Sequence, residues 1–242
     1  MNLISQIVIM NYHKRKGEGQ YLKKLIEVSA KPLGIPVQIA FDDGSLGIWG
    51  NYAQALTMKS DKEGTHRIVI HDDMSFDRNI LEKILYILQY VPKDKVVMLY
   101  NPTNSDYTEC YKSGKHILET TQNFWAQCGI YPNEWAKEFV TEMSIMAREE
   151  RADDDRLAAY LKHHNQTLFA VVPAFMQHFG AYRSTFNFPG KVNGVERNSS
   201  TVDTQLNVQT IDWVKEFANP YMAKMNKDYT KLVYKEEYLC QH

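Results

Sequence analysis

The sequence predicts one α/β domain with a mostly parallel sheet that is flanked by helices. Two observations lead to this fold class. Short apolar, β-branched runs alternate with amphipathic helical stretches over residues 1–105, and such alternation is typical of a parallel sheet covered on both faces. The chain length of 242 residues is also sufficient for one sizeable core. The later part of the chain is less regular, so we expect an irregular C-terminal segment.

The first half of the chain follows the order β-α-β-α-β-α-β. Pro32 and Gly34 end the first helix and Pro92 ends the third, because proline and glycine are poorly tolerated inside helices. The predicted strands are ISQIVIM, IPVQIAF, HRIVIHDD and DKVVMLYN, and the predicted helices are GQYLKKLIEVSAKPLG, NYAQALTMKS and RNILEKILYILQYV.

The second half has fewer clear patterns. Its last strand is predicted to break at Pro173, and its last helix is predicted to end at Ala218. Residues 189–203 are rich in glycine, asparagine and serine, which is typical of a loop. The predicted elements are an extended stretch at TQNFWAQCGIYP, helices at PNEWAKEFVTEMSIM and ERADDDRLAAYLKHHN, a strand at TLFAVVPAFMQH and a helix at VQTIDWVKEFA.

Composition restricts the possible partners and the compartment. The net charge is -1 and the pI is about 6.7, so the overall charge indicates neither nucleic acid nor a membrane surface. The three cysteines are widely spaced and form no zinc or disulfide pattern, which favours a reducing cytoplasm. The N-terminal apolar run is too short for a signal peptide, and no run is long enough for a membrane span. We therefore predict a cytoplasmic protein.

Polar residues follow three of the predicted strands directly. They are Asn11 to Arg15 after the first strand, Asp42-Asp43 after the second, and His71-Asp72-Asp73 after the third. Ligands of parallel α/β sheets bind beyond the carboxyl ends of the strands. The sequence therefore predicts a ligand site at this edge of the sheet.

The adjacent carboxylates of Asp72 and Asp73 allow two interpretations. Neighbouring carboxylates repel each other unless a cation lies between them, and Mg²⁺ or Mn²⁺ commonly joins carboxylates to substrate phosphates. Alternatively, the pair is a helix cap, because DDMSFD precedes a predicted helix. Capping accounts for one carboxylate, and the position at a strand end favours the metal.

Two further polar features come later in the chain. Asp153, Asp154 and Asp155 begin a predicted helix, where the macrodipole stabilises negative charge. One of them could instead serve as a general base near a pocket. His178 follows a buried strand, where it is either structural or a ligand.

Three of these segments together resemble the GT-A glycosyltransferases, which use a nucleotide sugar and a divalent metal. The strand followed by HDD looks like the family's DxD-type motif, although His71 takes the first position of that motif. The run ADDDRLAAYL looks like the later acidic helix, and VPAFMQHFGAYRSTF is similar to the family's segment with a metal-binding histidine. The resemblance spans residues 6–186 and implies a GT-A-like, Rossmann-like fold.

The resemblance implies roles for individual residues. Asp73 and His178 would contact Mn²⁺ or Mg²⁺, and Asp72 would bind the metal through water or hold the ribose of a UDP-sugar. Asp42 would accept a hydrogen bond from the uracil. Residues 1–105 would bind the nucleotide sugar, 106–188 the acceptor, and 189–242 would form a loop and helical tail. The remaining nucleotide contacts would be Asn11, Tyr12, Lys14, Arg15, Trp49 and Asn51.

Some of these residues also have simpler interpretations. Trp49 and Asn51 could pack in the core, and Lys14 and Arg15 could form a solvated basic turn. For the reaction, the resemblance implies a carboxylate base in an inverting transfer. We predict Asp155 or Asp154 for that base, with Asp155 preferred as the last acid before LAAYL. If these acids only cap the helix, a retaining reaction is the alternative.

The acceptor is less well defined by the sequence. The aromatic residues Phe124, Trp125, Tyr131 and Trp135 could stack on a sugar or an extruded base, or belong to the core. The Tyr-, Lys- and Asn-rich composition is similar to that of phage proteins, some of which glycosylate hydroxymethylated pyrimidines in DNA. The basic segments YHKRK, KLVYK and YLKHHN could contact a phosphate backbone. We therefore predict DNA as the acceptor, with protein or polysaccharide as the alternative.

Two other classes of protein stay open at the sequence level. A nucleotidyltransferase shares the sheet and the metal, and usually has a glycine-rich basic loop after the first strand. The segment NYHKRKGEGQ has part of that feature, with Gly17 and Gly19. The second alternative is a non-catalytic nucleotide-binding module that keeps the fold.

Overall fold

The computed structural model describes residues 3–76, 78–101, 104–122, 124–146, 153–178, 201, 203 and 206–224. The strands are β1 (Ile4–Tyr12), β2 (Val37–Asp42), β3 (His66–His71), β4 (Met74–Phe76), β5 (Val97–Met98), β6 (Ile117–Thr120), β7 (Cys128–Pro132), β8 (Leu168–Val171), β9 (Met176–His178) and β10 (Tyr221–Met222). The helices are α1 (Lys16–Ala30), α2 (Gly47–Thr57), α3 (Ile80–Leu88), α4 (Ser105–Lys112), α5 (Asn133–Met146), α6 (Asp153–His163) and α7 (Trp213–Ala218).

Eight strands form one large sheet in the order β10-β6-β8-β5-β7-β3-β1-β2. The pairs β1–β2, β1–β3, β5–β8 and β6–β10 are parallel, and the other three pairs are antiparallel. The prediction of an α/β fold with a mostly parallel sheet is confirmed. The antiparallel strand β7 lies between β3 and β5, so the third and fourth predicted strands do not pair with each other.

The central strands are apolar on both faces because helices cover both faces. In β1, Ile7 and Ile9 belong to the core cluster that contains α1 and α3. Val8 and Met10 point to the other cluster, which contains α2, α5 and α6. This is the continuous apolar pattern that a strand buried on both sides requires, and it explains why ISQIVIM is a clear sequence signal.

A separate two-stranded sheet extends the chain beyond the carboxyl end of β3. β4 pairs with β9 in antiparallel register, with Met74 opposite His178. The helix-cap interpretation of Asp72 and Asp73 is therefore wrong, because β4 follows these residues and α3 begins only at Ile80. The small sheet carries His178 to the end of β3, from a position about one hundred residues later in the chain.

The C-terminal predictions are tested in part. Strand β8 ends at Val171 and β9 resumes at Met176, so the break around Pro173 is confirmed. The helix predicted to end at Ala218 does so as α7. Of the loop predicted at 189–203, only residues 201 and 203 lie within the described residues, and KLVYK lies outside them. Within the described ranges, no helix has both the length and the apolarity that a membrane crossing requires.

Candidate active site

The three predicted polar clusters lie side by side at one edge of the sheet. The register pairs Tyr12 of β1 with Asp42 of β2, and Met10 of β1 with His71 of β3. The carboxyl ends of these strands are therefore neighbours, as the sequence indicated. The chain segments that leave the strands hold the polar side chains together.

Arg15 connects the two adjacent carboxylates. Its Nη2 lies 2.8 Å from Oδ1 of Asp72, and its Nη1 lies 2.5 Å from Oδ2 of Asp73. The Arg15 side chain is 13% exposed, so this ion pair is largely shielded from solvent. The interpretation of Arg15 as a solvated basic turn is therefore wrong.

Asp72 is held mainly by protein donors. Its Oδ2 accepts from the Asn11 side-chain amide at 2.7 Å and from the Tyr12 backbone N–H at 3.0 Å. Burial raises the pKa of Asp72, although the charge of Arg15 and these hydrogen bonds oppose that increase. Because Asp72 already has three protein partners, it suits an indirect contact to a metal or ribose better than direct metal ligation.

Asp73 is more available as a ligand. His178 Nε2 lies 3.2 Å from Oδ2 of Asp73, the same oxygen that Arg15 contacts. Burial alone would raise the pKa of Asp73, but the hydrogen bond from His178 and the charge of Arg15 hold it below its usual range. Among the described residues, Oδ1 of Asp73 and Nδ1 of His178 are buried without a hydrogen-bond partner.

The side chains of Asp73 and His178 lie in contact and are of the types that bind divalent ions. A buried carboxylate oxygen and an imidazole nitrogen are both compatible with Mn²⁺. Two protein ligands are sufficient where waters and phosphates complete the coordination. Within the described ranges, the group of three ligand side chains with all donor atoms inside 4.8 Å lies elsewhere, at Glu142, His163 and His164.

A small cavity lies beside the carboxylates. Its volume is about 50 Å³, and its lining includes Arg15, Asp42, Asn51 and Asp72. Oδ1 of Asn51 is buried and has no hydrogen-bond partner in the described part of the chain. A cavity of this volume has room for only a few water molecules, so binding of a nucleotide would require side chains at this edge to move.

Asp42 shapes the loop that borders this cavity. Its Oδ1 accepts from the backbone N–H groups of Gly44, at 2.8 Å, and Leu46, at 3.0 Å. Gly44 has a φ of 105°, a conformation that favours glycine. Asp42 therefore fixes the turn from β2 into α2, which places Asn51 at the cavity.

Trp49 packs mainly against other side chains. Its ring lies 5.6 Å from that of Phe139, and the Arg156 guanidinium lies 4.5 Å from its centroid. Trp49 is not among the residues that line the cavity. The packing interpretation fits Trp49, while the ligand interpretation fits Asn51.

The acidic start of α6 reaches the same edge of the sheet. Asp153 Oδ2 lies 3.3 Å from His71 Nε2. Although burial lowers the pKa of His71, the contact with Asp153 raises it, and the net direction is upward. Sequence reasoning did not predict this contact, because it left Asp153 open as a cap or a general base and gave His71 only the first position of the motif.

The two acids predicted as bases differ in their surroundings. Asp154 is half-buried, and burial together with its acidic neighbours raises its pKa to about 7. Asp155 is exposed. Asp154 therefore has the raised pKa that suits a general base near neutral pH, while the preference for Asp155 stays a prediction.

The aromatic residues proposed for the acceptor are mostly core. Phe124, Tyr131 and Trp135 are buried, so the core interpretation is confirmed for them. Trp125 is half-buried, and its ring lies 5.7 Å from that of Tyr100. Of the four aromatics, Trp125 is the one with surface available to an acceptor.

We call the cluster of Arg15, Asp72, Asp73 and His178 the mouth of the site. The remaining predicted residues lie around this mouth or far from it. Lys14 is exposed, with Nζ 5.9 Å from the ring centroid of Tyr12. The segment YLKHHN closes α6 at the end opposite Asp153, about 15 Å away along an 11-residue helix. An open groove of about 700 Å³ between α3 and residues 206–209 contains none of the predicted site residues.

Comparison with known proteins adds two structural likenesses. One is to a glycosyltransferase involved in the glycosylation of the major capsid of PBCV-1, over 69% of this chain and 92% of that chain, with 11% identity and a TM-score of 0.39. The other is to a putative glucose-1-phosphate thymidylyltransferase from Bacillus anthracis in complex with a sucrose, over 72% of this chain and 70% of that chain, with 13% identity and a TM-score of 0.41. No family model and no curated protein matches the chain.

At these TM-scores the likenesses carry no argument about activity. The fold assignment depends on the strand order itself.

Proposed function

We propose that the protein is a metal-dependent glycosyltransferase that moves a sugar from a nucleotide sugar, with UDP as the nucleotide, to an acceptor hydroxyl. The observation that carries this proposal is the cluster of Asp72, Asp73, His178 and Arg15 at the strand edge, beside a cavity lined by Asp42 and Asn51. This cluster combines anionic, imidazole and cationic groups where α/β sheets bind ligands.

The residues of the mouth have complementary tasks. Asp73 and His178 would hold Mn²⁺ or Mg²⁺, which supplies Lewis-acid stabilisation of the departing diphosphate. Arg15 and Lys14 would donate charge-assisted hydrogen bonds to the phosphates. Asp72, fixed by Asn11 and the Tyr12 N–H, would accept from the ribose.

The acidic start of α6 would complete the reaction. The acceptor hydroxyl must lose a proton as it attacks the anomeric carbon, and a carboxylate with a pKa near 7 is suited to accept it. Asp154 has that property, so we assign the base to Asp154. Asp153, in contact with His71, would orient the helix start, and the reaction would be inverting.

The nucleotidyltransferase alternative is less well supported. Gly17 and Gly19 lie inside α1, so they are part of a helix and do not form a glycine-rich loop. The product distinguishes the two reactions, because a glycosyltransferase releases UDP and a nucleotidyltransferase releases pyrophosphate. A non-catalytic module would release neither.

The acceptor is the least supported part of the proposal. DNA stays our prediction, with protein or polysaccharide as the alternative. Binding to duplex DNA should weaken steeply as salt increases, because contacts to phosphates displace counterions. A binding affinity that is independent of salt would contradict a DNA acceptor.

The direct test is a screen of nucleotide sugars with Mn²⁺. A ligand of the native state raises the melting temperature, so a thermal-shift screen would identify the donor. Hydrolysis or transfer is then measured by UDP release, for the wild type and for Asp73→Asn. Absence of metal-dependent turnover with every nucleotide sugar would overturn the proposal.

A further inference from the structure

The position of Arg15 raises a question about metal binding. Its guanidinium contacts both carboxylates of the mouth, at 2.8 Å and 2.5 Å. Oδ2 of Asp73 is shared between Arg15 and His178. A divalent ion ligated by Asp73 would lie within a few ångströms of a guanidinium, and two cations at that distance repel strongly where water is largely excluded.

The charges of the cluster show when the Arg15 guanidinium and a divalent ion can both be bound in the mouth. Asp72 and Asp73 bring two negative charges, which Arg15 neutralises in part. A divalent ion added beside Arg15 gives the buried mouth an excess of positive charge. An incoming diphosphate removes that excess, and it also offers the guanidinium new anionic oxygens.

We propose that Arg15 is an exchangeable internal cation, which holds Asp73 in the nucleotide-free protein and transfers to the diphosphate when metal and nucleotide bind. This inference rests on the proposed function, because it concerns the metal and diphosphate of that site. It assigns to Arg15 a second role, competition with the metal, in addition to contact with phosphate.

The exchange has a thermodynamic consequence. Arg15 lowers the affinity of the nucleotide-free protein for metal, and the nucleotide removes that penalty. Metal and nucleotide therefore bind with positive coupling, and the coupling is reciprocal. Some coupling arises in any case because phosphate oxygens ligate the metal, so the contribution of Arg15 has to be isolated by substitution.

The simpler alternative makes the opposite prediction. If Arg15 were a fixed structural partner of the two aspartates, its removal would disorder them, and metal affinity would stay the same or fall. If Arg15 is exchangeable, removal of its charge leaves two buried carboxylates without a cation, and metal affinity rises.

The experiment measures Mn²⁺ binding to the full chain by the EPR signal of free Mn²⁺ and by calorimetry, with and without UDP. Arg15→Gln removes the charge and keeps hydrogen-bonding groups. Lys16→Gln is the matched control, because it removes the same charge from the next residue, whose side chain lies over Phe41 at 5.7 Å. Asp73→Asn shows that the measured ion is at this site, because it should abolish binding.

We expect Arg15→Gln to raise the nucleotide-free Mn²⁺ affinity about tenfold and to reduce the enhancement by UDP, a change within the usual range of coupling between sites. Lys16→Gln should leave both values close to the wild type. An unchanged or lower nucleotide-free affinity in Arg15→Gln would overturn the inference, as would an equal rise in Lys16→Gln.

Two further measurements keep the test decisive. If Arg15→Gln does not fold, Arg15→Met removes the same charge from a side chain of similar length, and a nucleotide-free Mn²⁺ affinity no higher than that of the wild type would overturn the inference. If Mn²⁺ and UDP bind to the wild type without any coupling, the inference would also be overturned. A failure to find turnover would sink the proposed function but would leave the nucleotide-free comparison valid.

Discussion

Gly19 in the first turns of α1 lies directly against the side chain of Asn11. A Cβ atom at Gly19 would come within 2.4 Å of Cγ and 2.6 Å of Nδ2 of Asn11. The same Nδ2 donates to Asp72 at 2.7 Å and to the Arg15 carbonyl at 2.7 Å. The absence of a side chain at Gly19 thus allows α1 to approach the end of β1, where Asn11 fixes the carboxylate of the mouth.

Gly19→Ala should therefore destabilise the protein by about 1–3 kcal/mol, as overpacking at a close contact usually does. It should also weaken nucleotide binding, since Asn11 can no longer hold Asp72. Gly17→Ala is the matched control, because no described atom lies within 4 Å of a Cβ at Gly17. Alanine there should be neutral or stabilise α1 by up to about 1 kcal/mol. Chemical denaturation measures the free energy of unfolding of both variants. Equal changes in the two variants would contradict a close contact between Gly19 and Asn11.

Substitution at the metal pair should separate ligands from supporting residues. Asp73→Ala and His178→Ala should each reduce metal-dependent turnover by about a hundredfold or more, because each removes a proposed metal ligand. His71→Ala should cost about tenfold, as loss of a residue that only orients a neighbour does. UDP release at saturating Mn²⁺ measures these losses. Equal losses in all three variants would show that the site is assigned wrongly.

The pH dependence of turnover should report the base. If Asp154, with a pKa of about 7, accepts the acceptor proton, kcat rises as the pH increases through about 7 and then levels. Asp154→Asn should abolish this rise and lower kcat, while Asp155→Asn should keep the profile of the wild type. A wild-type profile that is flat between pH 6 and 8 would argue against Asp154 as the base.

Protonation of the Asp154 carboxyl group should also make the stability of the protein depend on pH. Its pKa of about 7 in the folded protein lies above the ordinary value of 3.8 for an aspartate, so the folded state binds the proton more tightly than the unfolded state. Stability should therefore fall as the pH rises from about 4 to about 7. Denaturation midpoints over this range should fall less in Asp154→Asn than in the wild type. A steeper fall in the variant would contradict the assignment.

Asn51 and Trp49 should have separable effects. Asn51→Ala should weaken UDP binding with little change in stability, because its free Oδ1 lines the cavity. Trp49→Phe should lower stability by about 0.5–2 kcal/mol through loss of the contact with Arg156, and should leave UDP affinity unchanged. Calorimetry and thermal melts measure the two effects. The reverse pattern would restore the prediction that Trp49 covers the nucleotide.

The sequence predicted well those features that depend on local periodicity. The apolar runs around Ile7 and Ile68 identify β1 and β3, because strands covered on both faces have no polar alternation. The polar residues after these strands could be placed together because parallel strands end at the same edge. The prediction that Asp73 and His178 share a site depended on a resemblance, and the structure brings their side chains to 3.2 Å.

Other features depend on long-range contacts that no local pattern contains. The antiparallel strand β7 between β3 and β5 follows from the packing of the second half of the chain. The contact of His71 with Asp153 joins residues about eighty positions apart. The adjacent carboxylates of Asp72 and Asp73 indicated that a cation was required, but not that Arg15 would supply it.

The pairing of β4 with β9 also sets the order in which the site can form during synthesis. Arg15, Asp72 and Asp73 are present once the first third of the chain has been made, whereas the imidazole arrives only with residue 178. A nascent chain or a fragment that stops before β9 can therefore neutralise its carboxylates with Arg15 but cannot complete the proposed metal pair. A contact between residues so distant in sequence costs loop-closure entropy before it stabilises the fold, so we expect the proposed metal pair to form only after β9 has been made.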